Sequence, residues 1–177
     1  MQLHRGTWIQ DGEHATLIFR RVYRHAPEQV WDAISTAEGL REWLLCSHAL
    51  IEPRVGGRIE LVSGPAAYHS SGRILVWEPP RVLEYEWNVA PVPEMPQGEH
   101  AIFRYELTAE GSSTHVLVTY RRISAQTARG FLPGVHAFLD RLEAQLAGRS
   151  PPDFLQRFSE LRAEYPEWSS HAADSRE

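Results

Sequence analysis

Between residues 82 and 89 the chain reads VLEYEWNV, and its side chains alternate: Leu83, Tyr85 and Trp87 against Glu84, Glu86 and Asn88. A period of two is the mark of a strand with one dry face and one wet face. AIFRYELT repeats it, with Phe103, Tyr105 and Leu107 opposed to Arg104 and Glu106, and THVLVTYRR adds Val116, Val118 and Tyr120. Upstream, HALIE, GGRIELVS and SGRILVWE have strand character, and Gly, Pro and Ser turns separate all these runs. The pattern predicts an antiparallel meander of about six strands. Near the start, Leu17 and Phe19 face away from Thr16, Ile18 and Arg20, and the turn dipeptide Asp11-Gly12 allows the chain to open with a hairpin.

Two stretches change period. In PEQVWDAISTAEGLREWLL, Pro27 suits the first turn of a helix, Glu28 suits the positive end of its dipole, and Val30, Trp31, Ala33 and Ile34 give it one buried face. Ser35 to Glu38 has capping-box spacing and restarts a second short helix through Leu44. Trp31 and Trp43 then read as plugs that pin each helix to the sheet. In TARGFLPGVHAFLDRLEAQLAG, the residues Phe131, Val135, Phe138, Leu139, Leu142 and Leu146 form one helical stripe. Pro133 is expected to end a preliminary turn or to sit in the first turn of this helix, and Gly148 to stop it. Asp153 can cap a final short helix over FLQRFSELRAEY, and the polar tail SSHAADSRE is expected to be mobile.

The order is strand, helix, helix, about six strands, long helix. A dry sheet face of that width needs a cover, and one long amphipathic helix is available. The expectation is an α+β helix-grip fold: a curved antiparallel sheet of about six or seven strands around a long C-terminal helix, with two short helices after the first strand. Residues 1–148 form one domain and 149–177 an extension, a short helix followed by a mobile tail.

Composition narrows the function classes. Hydrophobic residues make up 42% of the 177, which suits a folded soluble core. No window reaches the roughly 20 apolar residues of a membrane span, so no membrane insertion is expected, and no signal-like apolar run opens the chain. The 18 basic and 23 acidic residues give a formal charge of −5, which argues against nonspecific nucleic-acid binding. The single cysteine, Cys46, excludes an internal disulfide and fits a reducing, cytoplasmic setting.

The run FRRVYRHAPEQVWDAISTAEGLREWLL, the VGGRIEL turn and strand, the GRILVWEPPRVLEYEW pair and the PGVHAFLDRLEAQLAG helix together resemble the homologues of the 90-kDa heat-shock-protein ATPase activator. These belong to the START-related, birch-pollen-allergen-like superfamily, SRPBCC, and the resemblance covers residues 6 to 148. It implies a deep, mostly apolar cavity between sheet and C-terminal helix. The eukaryotic activator of that family engages the chaperone through a separate N-terminal domain, which carries a short Asn- and Trp-rich activating motif near its start. The start of this chain, HRGTWIQDGEH, has no Asn, so the ground for chaperone contact is weak. The family pattern commonly has Trp just before the His of the last helix; Val135 stands there in this chain, which implies a larger cavity or a shifted mouth.

Reaction chemistry is sparse. The nine histidines are scattered without zinc-site spacing, so no metal is expected. His136 and Asp140 stand four residues apart on the long helix and read as a surface or rim pair. Cys46 reads as a half-buried structural thiol, GSST lacks the context of a hydrolase nucleophile, and Gly56-Gly57 reads as a turn. The aromatic residues of the dry faces are more telling, because a pure packing core would use Leu, Ile and Val, whereas phenol and indole groups bring polar tips that need partners. The leading expectation is noncatalytic binding of a small apolar or amphipathic molecule, with no cofactor. Its wall would come from Ile59, Leu61, Tyr85, Trp87, Phe103, Tyr105, Phe131, Val135 and Phe138. A cyclase or hydratase is the second reading, with His136 or Tyr105 as its polar residue. A chaperone-linked or homodimeric interaction module is the third. The proline-rich loop APVPEMPQGEH reads as a lid over the cavity mouth or a rigid crossover.

Overall fold

The computed structural model describes residues 4–165. Among them run β1 (Thr7–Asp11), β2 (His14–Tyr23), α1 (Pro27–Ser35), α2 (Ala37–Trp43), β3 (His48–Ile51), β4 (Arg58–Ser63), β5 (Tyr68–Glu78), β6 (Val82–Val89), β7 (Glu99–Glu110), β8 (Ser113–Ser124), α3 (Ala125–Leu146) and α4 (Phe154–Glu164). The strands form one curved, open antiparallel sheet in the order β1-β2-β8-β7-β6-β5-β4-β3. The expected tail SSHAADSRE lies outside the described residues.

The architecture is the helix grip that the alternation predicts, with a wider sheet. The meander from β3 to β8 supplies six strands, and the opening hairpin adds two more by pairing β2 with β8, so the sheet has eight strands among the described residues. The two short helices accordingly follow the second strand. Register shifts in β2, between Ala15 and Leu17, and in β5, between Ile74 and Val76, bend the strands and help the sheet wrap its cover. Leu17, Phe19, Leu83, Tyr85, Tyr105, Val118 and Tyr120 are buried on the inner face. On the outer face Glu84 accepts from Arg104 at 3.0 Å and from Arg121 at 2.9 Å, so cross-strand ion pairs hold the wet side.

The two helices break at Thr36, whose extended backbone lets its hydroxyl accept from the Gly39 amide at 3.0 Å. The cap is thus Thr36 and not Ser35, whose hydroxyl bonds back to the Trp31 carbonyl. Gly39 is required where α2 crosses α1: a Cβ there would lie 2.3 Å from the Asp32 carbonyl oxygen. Trp31 stands edge-on to Trp77 of β5, and the Trp43 indole donates to the Ala33 carbonyl at 2.9 Å.

Pro133 corrects an expectation. It lies inside α3, which begins eight residues earlier at Ala125. The missing N–H costs one rung of the helix, but Ala128, Leu132 and Leu139 are fully buried, and this packing holds the helix across the proline. The end behaves as expected: Gly148, at φ 67°, donates to the Gln145 carbonyl while the Arg149 amide reaches Ala144, closing a Schellman motif. Asp153 caps α4 by accepting from the Gln156 amide at 2.8 Å.

Candidate functional site

A cavity of about 300 Å³ separates the inner face of the sheet from α3. Alternation along β4, β6, β7 and β8 brings Leu61, Tyr85, Trp87, Phe103, Tyr105 and Tyr120 to its sheet side. From α3 come Phe131, Val135, Phe138 and Leu139, at helical spacing. Trp43 and Leu44 close the α2 end, and residues 63–66 with Tyr68 stand at the β4–β5 turn. Phe154, Leu155 and Phe158 of α4 complete the wall. With Gly130 and Gly134 of α3 added, half of the described lining residues are aromatic, and none of them carries a formal charge.

The rings interlock. Tyr85 stacks on Phe103 with centroids 5.8 Å apart, Trp87 meets Tyr120 edge-on at 5.1 Å, and Phe131 stands edge-on to Trp87 at 5.6 Å. Burial pushes the phenols of Tyr85 and Tyr105 well up from their ordinary range. At neutral pH they are uncharged donors and acceptors.

Eight of the nine residues expected to form the wall line this cavity. Ile59 does not: it is buried in the core two residues along β4 from Leu61, and Leu61 and Ser63 are the members of that strand at the cavity. Residues 90–100 contribute nothing to the lining, and a Val92–Met95 bridge folds that loop on itself.

His136 also corrects an expectation. It is 3% exposed and absent from the cavity wall, so it is neither a rim residue nor a cavity base. Its Nδ1 and the Tyr165 hydroxyl are 2.6 Å apart, and its Nε2 lies 3.6 Å from Asp140. One Asp140 carboxylate oxygen accepts from Arg21 of β2 at 2.7 Å and the other from Arg157 of α4 at 2.8 Å. Burial raises the Asp140 pKa, but the Arg21 charge and hydrogen bond outweigh it and hold the carboxyl low. Burial pushes the His136 pKa down to about 4, and Arg21 adds to the effect. This cluster ties β2, α3 and α4 together on a different side of α3 from the cavity.

Cys46 is half-buried, and burial raises its thiol to about 11, so it is a poor nucleophile. Among the described residues no group of three His, Cys, Asp or Glu side chains could hold a metal ion, and no helix is long and apolar enough to cross a membrane.

The family described as activator of Hsp90 ATPase homolog 1-like protein matches residues 24–147. The chain belongs to this family. The matched segment runs from the end of β2 through α3, so the family core holds most of the cavity wall while Phe154, Leu155 and Phe158 lie beyond it. Among solved structures, CalU16 from Micromonospora echinospora is 25% identical, covers 94% of this chain and 93% of its own, and superposes with a TM-score of 0.69. Protein MLL2253 from Mesorhizobium loti is 26% identical over 75% of this chain and 96% of its own, with a TM-score of 0.65. The protein encoded by BPP1335 of Bordetella parapertussis, 23% identical over 89% and 86% of the two chains at a TM-score of 0.66, shares the fold. None of the curated proteins matches the chain.

Several wall residues escape the alternation argument. Trp43 reads as a plug and is also a wall. Phe154 and Phe158 sit on a helix that shows no connection to the sheet until the chain folds. Gly130 and Gly134 line the cavity, Gly134 buried and Gly130 at an exposed edge, and their four-residue spacing on the apolar stripe was the available signal.

Proposed function

We propose that the protein binds one small, uncharged, ring-containing molecule in this cavity and does not transform it. The observation that carries the reading is the wall itself, which among the described residues is half aromatic and without formal charge. A carboxylate or ammonium brought against it would shed its hydration without gaining a partner, a penalty of several kcal/mol. A fatty acid would have to keep its head at the mouth, whereas a neutral planar molecule buries whole. The hydroxyls of Tyr85 and Tyr105, both wall residues, offer a hydrogen bond to a carbonyl or hydroxyl of such a molecule. The volume, about 300 Å³, suits a ligand of a few fused or linked rings.

The test is a titration with N-phenyl-1-naphthylamine, an uncharged fluorescent two-ring probe, with Trp87→Phe as control. Saturable binding at one site, competed by a neutral flavone and weakly or not at all by palmitate, is the expected result. Strong palmitate competition would move the reading to lipids. No saturable signal from any neutral aromatic, with the protein folded, would overturn it.

The hydroxyl pair also favours a second reading, an enzyme of the cyclase or hydratase type in which Tyr105 donates a proton. A product formed from a bound compound by the wild type and not by Tyr105→Phe would select it.

A further inference from the structure

α4 lies outside the segment that the family shares, yet it builds one end of the cavity. Phe154 packs at a tilt against Phe138 with ring centroids 4.4 Å apart, and the Phe158 ring faces Gly134. Leu155, which lines the same end, is 61% exposed, so this end is where wall meets solvent. We propose that α4 is the cover that decides which molecules enter the cavity and how fast they leave, with Phe158 limiting ligand length and the Arg157–Asp140 pair acting as its latch. The proposal rests on the binding reading above.

The helix is built to move as a unit. Phe154, Arg157, Phe158, Leu161 and Tyr165 share one face, at helical spacing, and within the helix only Leu161 is buried. An element held by so few buried apolar groups opens at lower free energy than the core. Its two ends are fixed. At one, Arg141 donates to the Pro152 carbonyl; at the other, the Tyr165 hydroxyl accepts from the Gly6 amide at 2.8 Å and bonds His136. Turning about these points would lift the Phe154 and Phe158 rings, Arg157 and the single buried Leu161 together.

The latch can open without stranding a charge. Removing one partner of a buried ion pair is costly because the other is left uncompensated. Here Asp140 keeps Arg21, whose side chain is fully buried, when Arg157 withdraws. The Arg157 side chain is 29% exposed and already bonds Glu160 at 3.0 Å, so it enters water with a partner. The asymmetry between one buried and one partly exposed arginine on a single carboxylate is what a releasable latch requires.

The experiment compares wild type with Arg157→Ala, Phe158→Ala and, as control, the exposed Ser159→Ala. Stopped-flow chase of bound N-phenyl-1-naphthylamine should give a dissociation rate about tenfold faster in Arg157→Ala, with association faster as well and affinity changed much less. Phe158→Ala should gain affinity for the longer 1,6-diphenyl-1,3,5-hexatriene relative to the two-ring probe. Amide hydrogen exchange needs no ligand: Arg157→Ala should exchange faster across residues 154–161, with α3 and the sheet unchanged. If exchange rises there while the probe fails to bind even the wild type, the binding reading falls and the moving cover stands. Unchanged exchange together with unchanged dissociation rates and an unchanged probe preference overturns the cover.

Discussion

Gly130 and Gly134 lie one turn apart on the face of α3 that looks into the cavity, and neither puts a side chain there. Glycine inside a helix costs about 1 kcal/mol relative to alanine, so the buried Gly134 trades helix stability for space. A Cβ on Gly130 would meet no atom within 4 Å, and one on Gly134 would only touch the Phe158 ring at 3.8 Å. Gly130→Ala should therefore raise stability by roughly 0.5–1 kcal/mol, read as a higher urea midpoint. Gly134→Leu should fill the cavity and weaken N-phenyl-1-naphthylamine at least about tenfold while the protein stays folded. Binding as in the wild type would mean that the probe sits elsewhere.

Asp140 matters more to stability than to the latch. Asp140→Ala would leave the fully buried Arg21 guanidinium without its carboxylate. The expected loss is about 3–5 kcal/mol. Arg157→Ala leaves the Arg21–Asp140 pair in place and should cost about 1 kcal/mol or less. Urea unfolding of the two variants checks the ranking, and equal losses would contradict it.

Acid should weaken the fold through His136. Its pKa is near 4 in the folded protein against an ordinary 6.5, so between those values the unfolded chain binds the extra proton. The contribution is complete above about pH 6.5 and is lost as pH falls toward 4. Arg21, Arg157 and His4 oppose the imidazolium, Asp140 favours it, and Tyr165 hydrogen-bonds the ring. His136→Gln keeps a polar group for Tyr165 and removes the titration. The urea midpoint of the wild type should fall more steeply from pH 7 to pH 4.5 than that of the variant; parallel curves would show that His136 does not govern acid sensitivity.

Cys46 offers a check on burial that no other thiol confuses. With its pKa raised to about 11, it should react with a disulfide reagent at pH 8 on the order of a hundredfold more slowly in the folded protein than in urea. Fast labelling of the folded protein would mean that the end of α2 opens readily.

The strands, the opening hairpin, the two short helices and eight of the nine expected wall residues follow from local pattern. Period-two alternation states which side chains of β6 and β7 share a face, and one dry face demands a helical cover. The sequence by itself therefore determined the architecture and most of the cavity's aromatic character. Tertiary structure alone decided where the space would be. Ile59 has the alternation of a wall residue, but Leu61 and Ser63 meet the cavity and Ile59 meets the core. His136 lies on the flank of the α3 stripe, and a helical pattern cannot say whether that flank is open. It is closed by Arg21, 115 positions earlier in the numbering, and by Tyr165, 29 residues later. Local periodicity reports direction from a single element, whereas burial is the joint result of every element that arrives, and α4, β2 and α3 meet only when the whole chain has folded.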